Sequence, residues 1–325
     1  MMQRLSLPFL LSTFAVLCCP GLHADIAPAG RALAEGRVED ATSLLRPWIE
    51  QHPSDADAHL LLCRVLYAEE MIDSALSECE AAAGLAGHRS DIQLWLGRAS
   101  GMKAGAANPI AAFPIARKVR DAFERSVRLD PFNIAAAGDL GEFYVAAPAI
   151  VGGGSGKARA LAAKLEQLNQ PAAEAESHRI LGLLAEKEGD LAKAEAEFRR
   201  AAATDRPEAF IDLGAFYARQ HQADQAAASV HSAIALDKTH GPPLVDAASV
   251  LVEAGREPDL ARRLFQSYLD SPAKSDAAPA FKVHLRLGDL LARSGDRASA
   301  HREYAAAFRL APNYAPARKA VTSEP

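Results

Sequence analysis

The sequence predicts an all-α fold, a solenoid of about eight stacked helical hairpins, and three observations lead there. The stretch from Ala175 to Pro207 reads as two short amphipathic helices around a tight Gly189-Asp190 turn. Copies of this pattern return in phase along nearly the whole chain. Finally, 49% of the residues are apolar but only 6% are aromatic, and alanine makes up much of the difference. That balance suits closely packed helices and argues against a β-rich core. A single hairpin of this size cannot bury its apolar faces, so it needs neighbours of its own kind.

In chain order the units fall near residues 25–55, 56–89, 90–133, 134–174, 175–206, 207–240, 241–280 and 281–314. The first reads as partial, with Gly36, Ala41, Leu45 and Trp48 on its second helix and Pro53 closing it. The second carries His59, Leu62, Cys63 and Leu66, then Ala75, Cys79 and Ala82. The third opens with Leu96-Gly97 and ends with Phe123, Ser126 and Pro131; the fourth has Leu140-Gly141 and Tyr144, then Ala158, Ala162 and Leu165. The fifth is the reference, with Leu181-Gly182, Ala185, Ala194, Phe198 and Ala201. The sixth repeats it with Leu213-Gly214, Tyr217, Ala226 and Val230, and the seventh is degenerate. The stretch Ser271 to Ala280 is the most linker-like after residue 24. The eighth is clean again, through Leu287-Gly288, Gly295-Asp296, Tyr304 and Pro312, and 315–325 supplies a capping segment and tail. Small residues let two helices approach at each crossing, and proline after a second helix turns the chain into the next unit.

An apolar residue before Leu-Gly, then an aromatic, an alanine, a second aromatic and a closing proline: this order resembles the tetratricopeptide repeat (TPR) family. The resemblance covers nearly all of the chain after the leader. It implies a right-handed superhelical solenoid that binds a protein or peptide partner rather than performing catalysis. The loop A-P-A-I-V-G-G-G is similar to one in exported bacterial TPR proteins, a grouping that brings no activity with it.

Residues Met1 to Ala24 have the three parts of a secretory signal: Arg4, the apolar run from Leu5 to Leu17, and a cleavage site after Ala24. The expected location is periplasmic or secreted, with no stable membrane span after cleavage, since the run is short of the ~20 residues a span requires. An uncleaved anchor and a lipoprotein acylated at Cys18 or Cys19 are the competing readings. Leu17 before Cys18 and Cys18 before Cys19 match a lipoprotein signal poorly. The formal charge of −5, without any block of like charge, gives no reason to expect nucleic acid.

No catalytic arrangement can be assembled on helical positions that make sense, and no metal-ligand spacing occurs; no cofactor is expected. Val151 to Lys157 superficially suggests a phosphate-binding loop, but it lacks the first glycine, the Ser or Thr after the lysine, and a preceding strand. Cys63 and Cys79 face each other across one hairpin. A disulfide requires Cα atoms within ~7 Å, and the alternative is two small buried apolar residues.

Two surfaces are candidate partner sites. By register the inner groove holds Arg64, Tyr67 and Arg98 early, then Glu142, Glu186 and Asp289. Two arginines and a tyrosine suit an acidic peptide or a C-terminal carboxylate. The Lys/Asn set of chaperone-binding TPR clamps is absent from these positions. The second surface is an edge formed by insertions at 101–115 and 146–156, both expected at the turns of units three and four. Its candidates are Phe113, Ile150 and Val151, as a partner-binding edge or as packing for neighbouring helices. The function expected is an exported, non-enzymatic interaction scaffold of the cell envelope. The alternative is a small-ligand carrier or sensor with a cavity under these loops, lined by Phe113, Ile115, Ile150 and Val151.

Overall fold

The computed structural model describes residues 25–322; the secretory-signal expectation for Met1 to Ala24 lies outside them. Those residues form seventeen α-helices and one 3-10 turn, and no strand occurs among them. The helices pair as α1 (Ala27–Ala34) with α2 (Val38–Gln51), α3 (Ala56–Ala68) with α4 (Ile72–Ala86), and α5 (Ser90–Ala106) with α6 (Pro109–Leu129). Next come α7 (Ile134–Ala146) with α8 (Ser155–Glu166), α9 (Pro171–Lys187) with α10 (Leu191–Ala202), and α11 (Pro207–Arg219) with α12 (Ala223–Leu236). The last pairs are α13 (Pro242–Ala254) with α14 (Pro258–Asp270) and α15 (Ala280–Arg293) with α16 (Arg297–Leu310), followed by α17 (Ala315–Thr322). The fold is an all-α repeat solenoid. The first unit is a complete hairpin, with α1 shorter than the other first helices.

Six of the eight hairpins share one turn. Gly36, Glu70, Gly189, His221, Gly255 and Gly295 all adopt left-handed backbone angles. In each, the next amide donates back to a carbonyl five residues earlier: Arg37 to Ala32, Met71 to Leu66, Asp190 to Ala185, Gln222 to Tyr217, Arg256 to Leu251, Asp296 to Leu291. This is the Schellman closure, which satisfies carbonyls that a helix end leaves open. In units five and eight the aspartate after the glycine then caps the next helix. Asp190 accepts from the Lys193 amide and Asp296 from that of Ser299.

Units three and four lack this turn, and here the structure departs from the expectation of loops. The 101–115 insertion lengthens both helices of its hairpin, so α5 continues to Ala106 and α6 starts at Pro109. Asn108 caps α6 by accepting from the Ile110 and Ala111 amides, and Pro109 follows at the first helical position, where its missing N–H costs nothing. The 146–156 insertion is a compact reversal. Its 3-10 turn, Ala149–Val151, is fastened by the Gly154 amide donating to the Tyr144 carbonyl.

Packing explains the Leu-Gly positions. A Cβ built on Gly97 would lie 2.3 Å from Phe123, and one on Gly288 would lie 2.4 Å from Tyr304. The bare backbone gives each aromatic its seat. From unit five to unit eight the core is one cluster, with Phe198 and Phe216 in contact at 5.2 Å between ring centres across the unit five–six boundary.

The two ends of the stack meet. One apolar cluster joins Leu33, Val38, Leu45 and Leu62 of the first units to Phe281, Ala307, Ala311, Tyr314 and Ala317 of the last. Around it Arg64 donates to Asp276, Asn313 to Glu39, and both Lys282 and the Tyr314 hydroxyl to Glu70. The stretch from Ser271 to Ala280 that reads as a linker is therefore part of the closure. Ser271 and Ala278 are buried, and the Tyr268 hydroxyl donates to the Ala278 carbonyl at 2.6 Å. Eight hairpins thus complete one closed turn around a central channel lined by the first helix of each unit.

Candidate functional site

Because the first helices face the channel at one register, their polar residues stand side by side, and most are tied across unit boundaries. Arg98 of α5 donates to Asp139 of α7 at 2.6 Å. Arg179 of α9 holds Glu176 on its own helix and reaches Glu142 of α7 at 2.8 Å. Arg219 of α11 grips both oxygens of Glu186, at 2.9 and 2.8 Å. Arg286 of α15 donates to the Ser249 hydroxyl of α13 at 3.2 Å. Arg64 closes the circle through Asp276 at 2.8 Å.

Arg64, Tyr67 and Arg98 come together around a residue that the register did not single out, Trp95. The Arg64 and Arg98 guanidiniums lie 5.3 and 4.9 Å from the Trp95 ring centre, and Tyr67 meets its edge at 5.4 Å. Each arginine thus has an aspartate and a cation–π contact already. An incoming carboxylate would compete with Asp276 or Asp139 for them. A sequence signal for Trp95 existed, since a tryptophan three residues before a groove arginine shares its helix face.

The part of the channel formed by α7 to α13 is acidic and only partly neutralised, and at its α13 end Asp246 shares a small cavity with Tyr67 and Asp276. Glu142, Glu176, Asp212 and Asp246 occupy four successive first helices, α7 to α13. Asp212 and Asp246 take neither a hydrogen bond nor an ion pair, although Arg179 and Arg286 act on them at longer range. Burial, reinforced by Glu176, Glu142 and Asp246 and opposed by Arg179, pushes the Asp212 carboxyl up to about 7. Burial also raises Asp246, which Arg286 counteracts, and raises Glu176 against the pull of Arg179. Asp246 is nevertheless open to water, as expected for a carboxylate crowded by channel walls rather than sealed in a core. Beside it a cavity of about 730 Å³ is lined by Asp246, Ser249, Glu253, Arg286, Asp289 and Arg293 among others. Glu186 and Asp289 are placed on this face as the register predicts; Asp289 accepts from the Tyr304 hydroxyl. Sequence reading missed Asp212 and Asp246, though both lie about one repeat from their counterparts on the next helix.

The insertion edge separates its three candidates. Ile150 is 68% exposed, Phe113 is half-buried beneath the Arg117 guanidinium at 4.9 Å, and Val151 is only 5% exposed. Val151 thus serves packing, and its carbonyl accepts from Arg120. A groove of about 740 Å³ lies between α6, α7 and α8. Its lining includes Val127, Arg128, Leu140, Tyr144, Lys157, Leu161 and Lys164, but none of Phe113, Ile115, Ile150 or Val151. Cys63 and Cys79 are joined as a disulfide, Cα atoms 5.3 Å apart, and both are fully buried. Among the described residues no group of His, Cys, Asp and Glu has the arrangement of a metal site.

Comparison with known proteins follows the same lines. Residues 159–281 match the family model of the cilia and flagella-associated protein 70 middle TPR-like domain, and residues 32–94 match a tetratricopeptide repeat model. Among solved structures, yeast Tom70 is similar at 16% identity and a TM-score of 0.52, over 88% of this chain and 57% of that one. TTC0263, a thermophilic TPR protein of Thermus thermophilus, is similar at 18% identity and a TM-score of 0.42, over 76% of this chain and 98% of that one. No curated protein matches the sequence.

Proposed function

Because the chain is a tetratricopeptide repeat protein, we propose that it is a non-enzymatic interaction scaffold that holds a cation-bearing polypeptide segment in its channel. It works in the cell envelope, after export and removal of residues 1–24. The observation that supports this reading most is the pair Asp212 and Asp246. They are neighbouring carboxylates on α11 and α13, facing the channel, with no ion-pair partner of their own. Their raised proton affinity means that the ionised forms are held at a cost, and a lysine or arginine entering the channel would offset it. The arginine arc around Trp95 is already neutralised and would position the same segment rather than capture its charge.

The test is calorimetric titration of the chain with two short Gly/Ser peptides, one carrying lysines and one carrying glutamates. The lysine peptide should bind, the glutamate peptide should not, and D212N/D246N should weaken binding about tenfold or more. Equal binding of both peptides, or an unaffected double variant, would sink the proposal. Cell fractionation with mass spectrometry of the amino terminus checks export: a cytoplasmic chain that still begins at Met1 would refute it. A second reading, a small-ligand carrier, draws on the α6–α8 groove with its leucine floor. Binding of a fluorescent fatty acid that is displaced in L161D would favour it.

A further inference from the structure

We propose that the protruding edge of units three and four is a peripheral docking surface for an anionic phospholipid bilayer. The charge pattern is the first ground. Residues 92–120 contain five basic side chains and residues 143–165 contain three, and neither stretch contains a single Asp or Glu, in a chain whose net charge is −5. Both segments contain an insertion, at 101–115 and 146–156, with buried helix on either side of it. Some of the cations are spent internally, Arg98 on Asp139, Lys103 on Asp73, Arg120 on Asp121, Lys157 on Glu124 and Arg159 on Glu188. Behind the tips, Arg117 and Lys118 have no carboxylate partner.

The second ground is what projects past those cations. From Ala104 to Ala116 the hairpin tip carries no charge, and its Ile110 is 88% exposed. Ile150, at 68%, tops the neighbouring reversal. The two tips are fastened to each other: Arg117 reaches the Ile150 carbonyl at 3.5 Å and Arg120 the Val151 carbonyl at 3.2 Å. They therefore present a single edge, with aliphatic side chains in front and guanidinium and ammonium groups behind.

The third ground decides the class of partner. Several of the tip amides are internally satisfied. Asn108 takes the Ile110 and Ala111 amides, and the Gly152, Gly153 and Gly154 amides donate to Ala149, Pro148 and Tyr144. A polar backbone already satisfied can enter the headgroup region without the penalty that an open loop would incur. The groove between α6, α7 and α8 is lined by neither Ile110 nor Ile150, so the two exposed isoleucines project outside any pocket that could seat a particular side chain. Apolar tips backed by unpaired cations match a negatively charged lipid interface, in which the hydrophobic and electrostatic contributions add. No described helix is long and apolar enough to cross a membrane, so the contact is peripheral.

The experiment is vesicle co-sedimentation with the chain from Asp25 onward, which contains every helix described and excludes the apolar leader. Vesicles are pure phosphatidylcholine, or phosphatidylcholine with about a third phosphatidylglycerol. Binding to the anionic vesicles should exceed that to the neutral ones about tenfold and fall steeply with salt. I110D/I150D and, separately, R117E/K118E should each reduce it about tenfold, with helical circular dichroism unchanged. L44D, at an exposed leucine on α2, and the channel variant D212N/D246N should bind as the unmodified chain does. Absence of binding to anionic vesicles, equal binding to neutral ones, or tip variants that bind normally would each overturn the proposal. So would capture by this edge of an acidic protein without any vesicle binding, which would assign it to a protein partner.

Discussion

The meeting of first and last units can be tested with one methyl group, because the fold supplies its own controls. Gly36, Gly189 and Gly295 occupy the same turn position in units one, five and eight, at φ of 77°, 82° and 88°. Alanine at any of them incurs the left-handed backbone cost of about 1–2 kcal/mol. At Gly189 and Gly295 nothing lies within 4 Å of the added carbon, so that is the whole cost. At Gly36 the added carbon would lie 2.9 Å from the backbone nitrogen of Ala280 and 3.0 Å from its Cβ, at the start of α15. Backbone atoms cannot swing aside as a side-chain end can, so overpacking adds about 1–3 kcal/mol, for a total of about 2–5 kcal/mol. Urea unfolding of the three variants gives the difference directly. Hydrogen exchange should show faster opening at the α15 N-terminus in G36A alone, and small-angle scattering a larger radius of gyration. If G36A loses no more than G189A and G295A within about 0.5 kcal/mol, with α15 equally protected, the ends are not docked and the channel is open.

Two further outcomes follow from single groups. Cys63 and Cys79 are separated by 16 positions, so reduction or C63A/C79A should cost about 3 kcal/mol, read as a lower urea midpoint and greater exchange in α3 and α4. Identical midpoints with and without reductant would refute a structural role. The pH dependence rests on Asp212 and Glu69, both raised to about 7, mainly by burial. Such carboxyls bind protons more tightly folded than unfolded. Their contribution to stability is therefore full below the ordinary carboxylate range, falls as pH rises towards 7, and is absent above it. D212N and E69Q should each flatten that fall and raise the urea midpoint at pH 8. The Glu69 change should act more strongly per group, because its Oε1 is buried without a hydrogen-bond partner. Unchanged pH profiles would reject the assignment.

What the sequence reveals here is local, and what it hides is long-range. Leu-Gly pairs, Gly-Asp turns and closing prolines act within a few residues, so the hairpins can be read directly. The 101–115 insertion misleads because Pro109, Pro114 and a run of small residues around them resemble a loop. The decisive signal is Asn108-Pro109, a cap followed by the one helical position that tolerates proline. The channel residues follow from register once the units are aligned, but their pairing does not. Whether Arg98 is free or bound depends on Asp139, 41 positions away, and Arg64 is neutralised by Asp276 from 212 positions away. Closure escapes for the same reason. A stretch such as Ser271 to Ala280 looks like a linker until the first unit of the chain is packed against it.

The two proposed surfaces have a common origin in the turns. Six hairpins turn through a hydrogen-bonded Schellman reversal that leaves no spare chain to project from the stack. Units three and four abandon that reversal, and their extra residues have nowhere to go but outward. Helix continues in one case and a glycine-fastened 3-10 turn forms in the other. The result separates two chemistries by position: carboxylates gather on the channel arc of α7 to α13, while unpaired cations and exposed isoleucines gather on the projecting edge. Because the edge residues touch the channel only through the helices they extend, lesions at one should spare the other. D212N/D246N should lose the lysine peptide and keep the vesicle; I110D/I150D should do the reverse. If either pair of changes abolished both activities, the surfaces would be one site, and the division of labour inferred from the turns would be wrong.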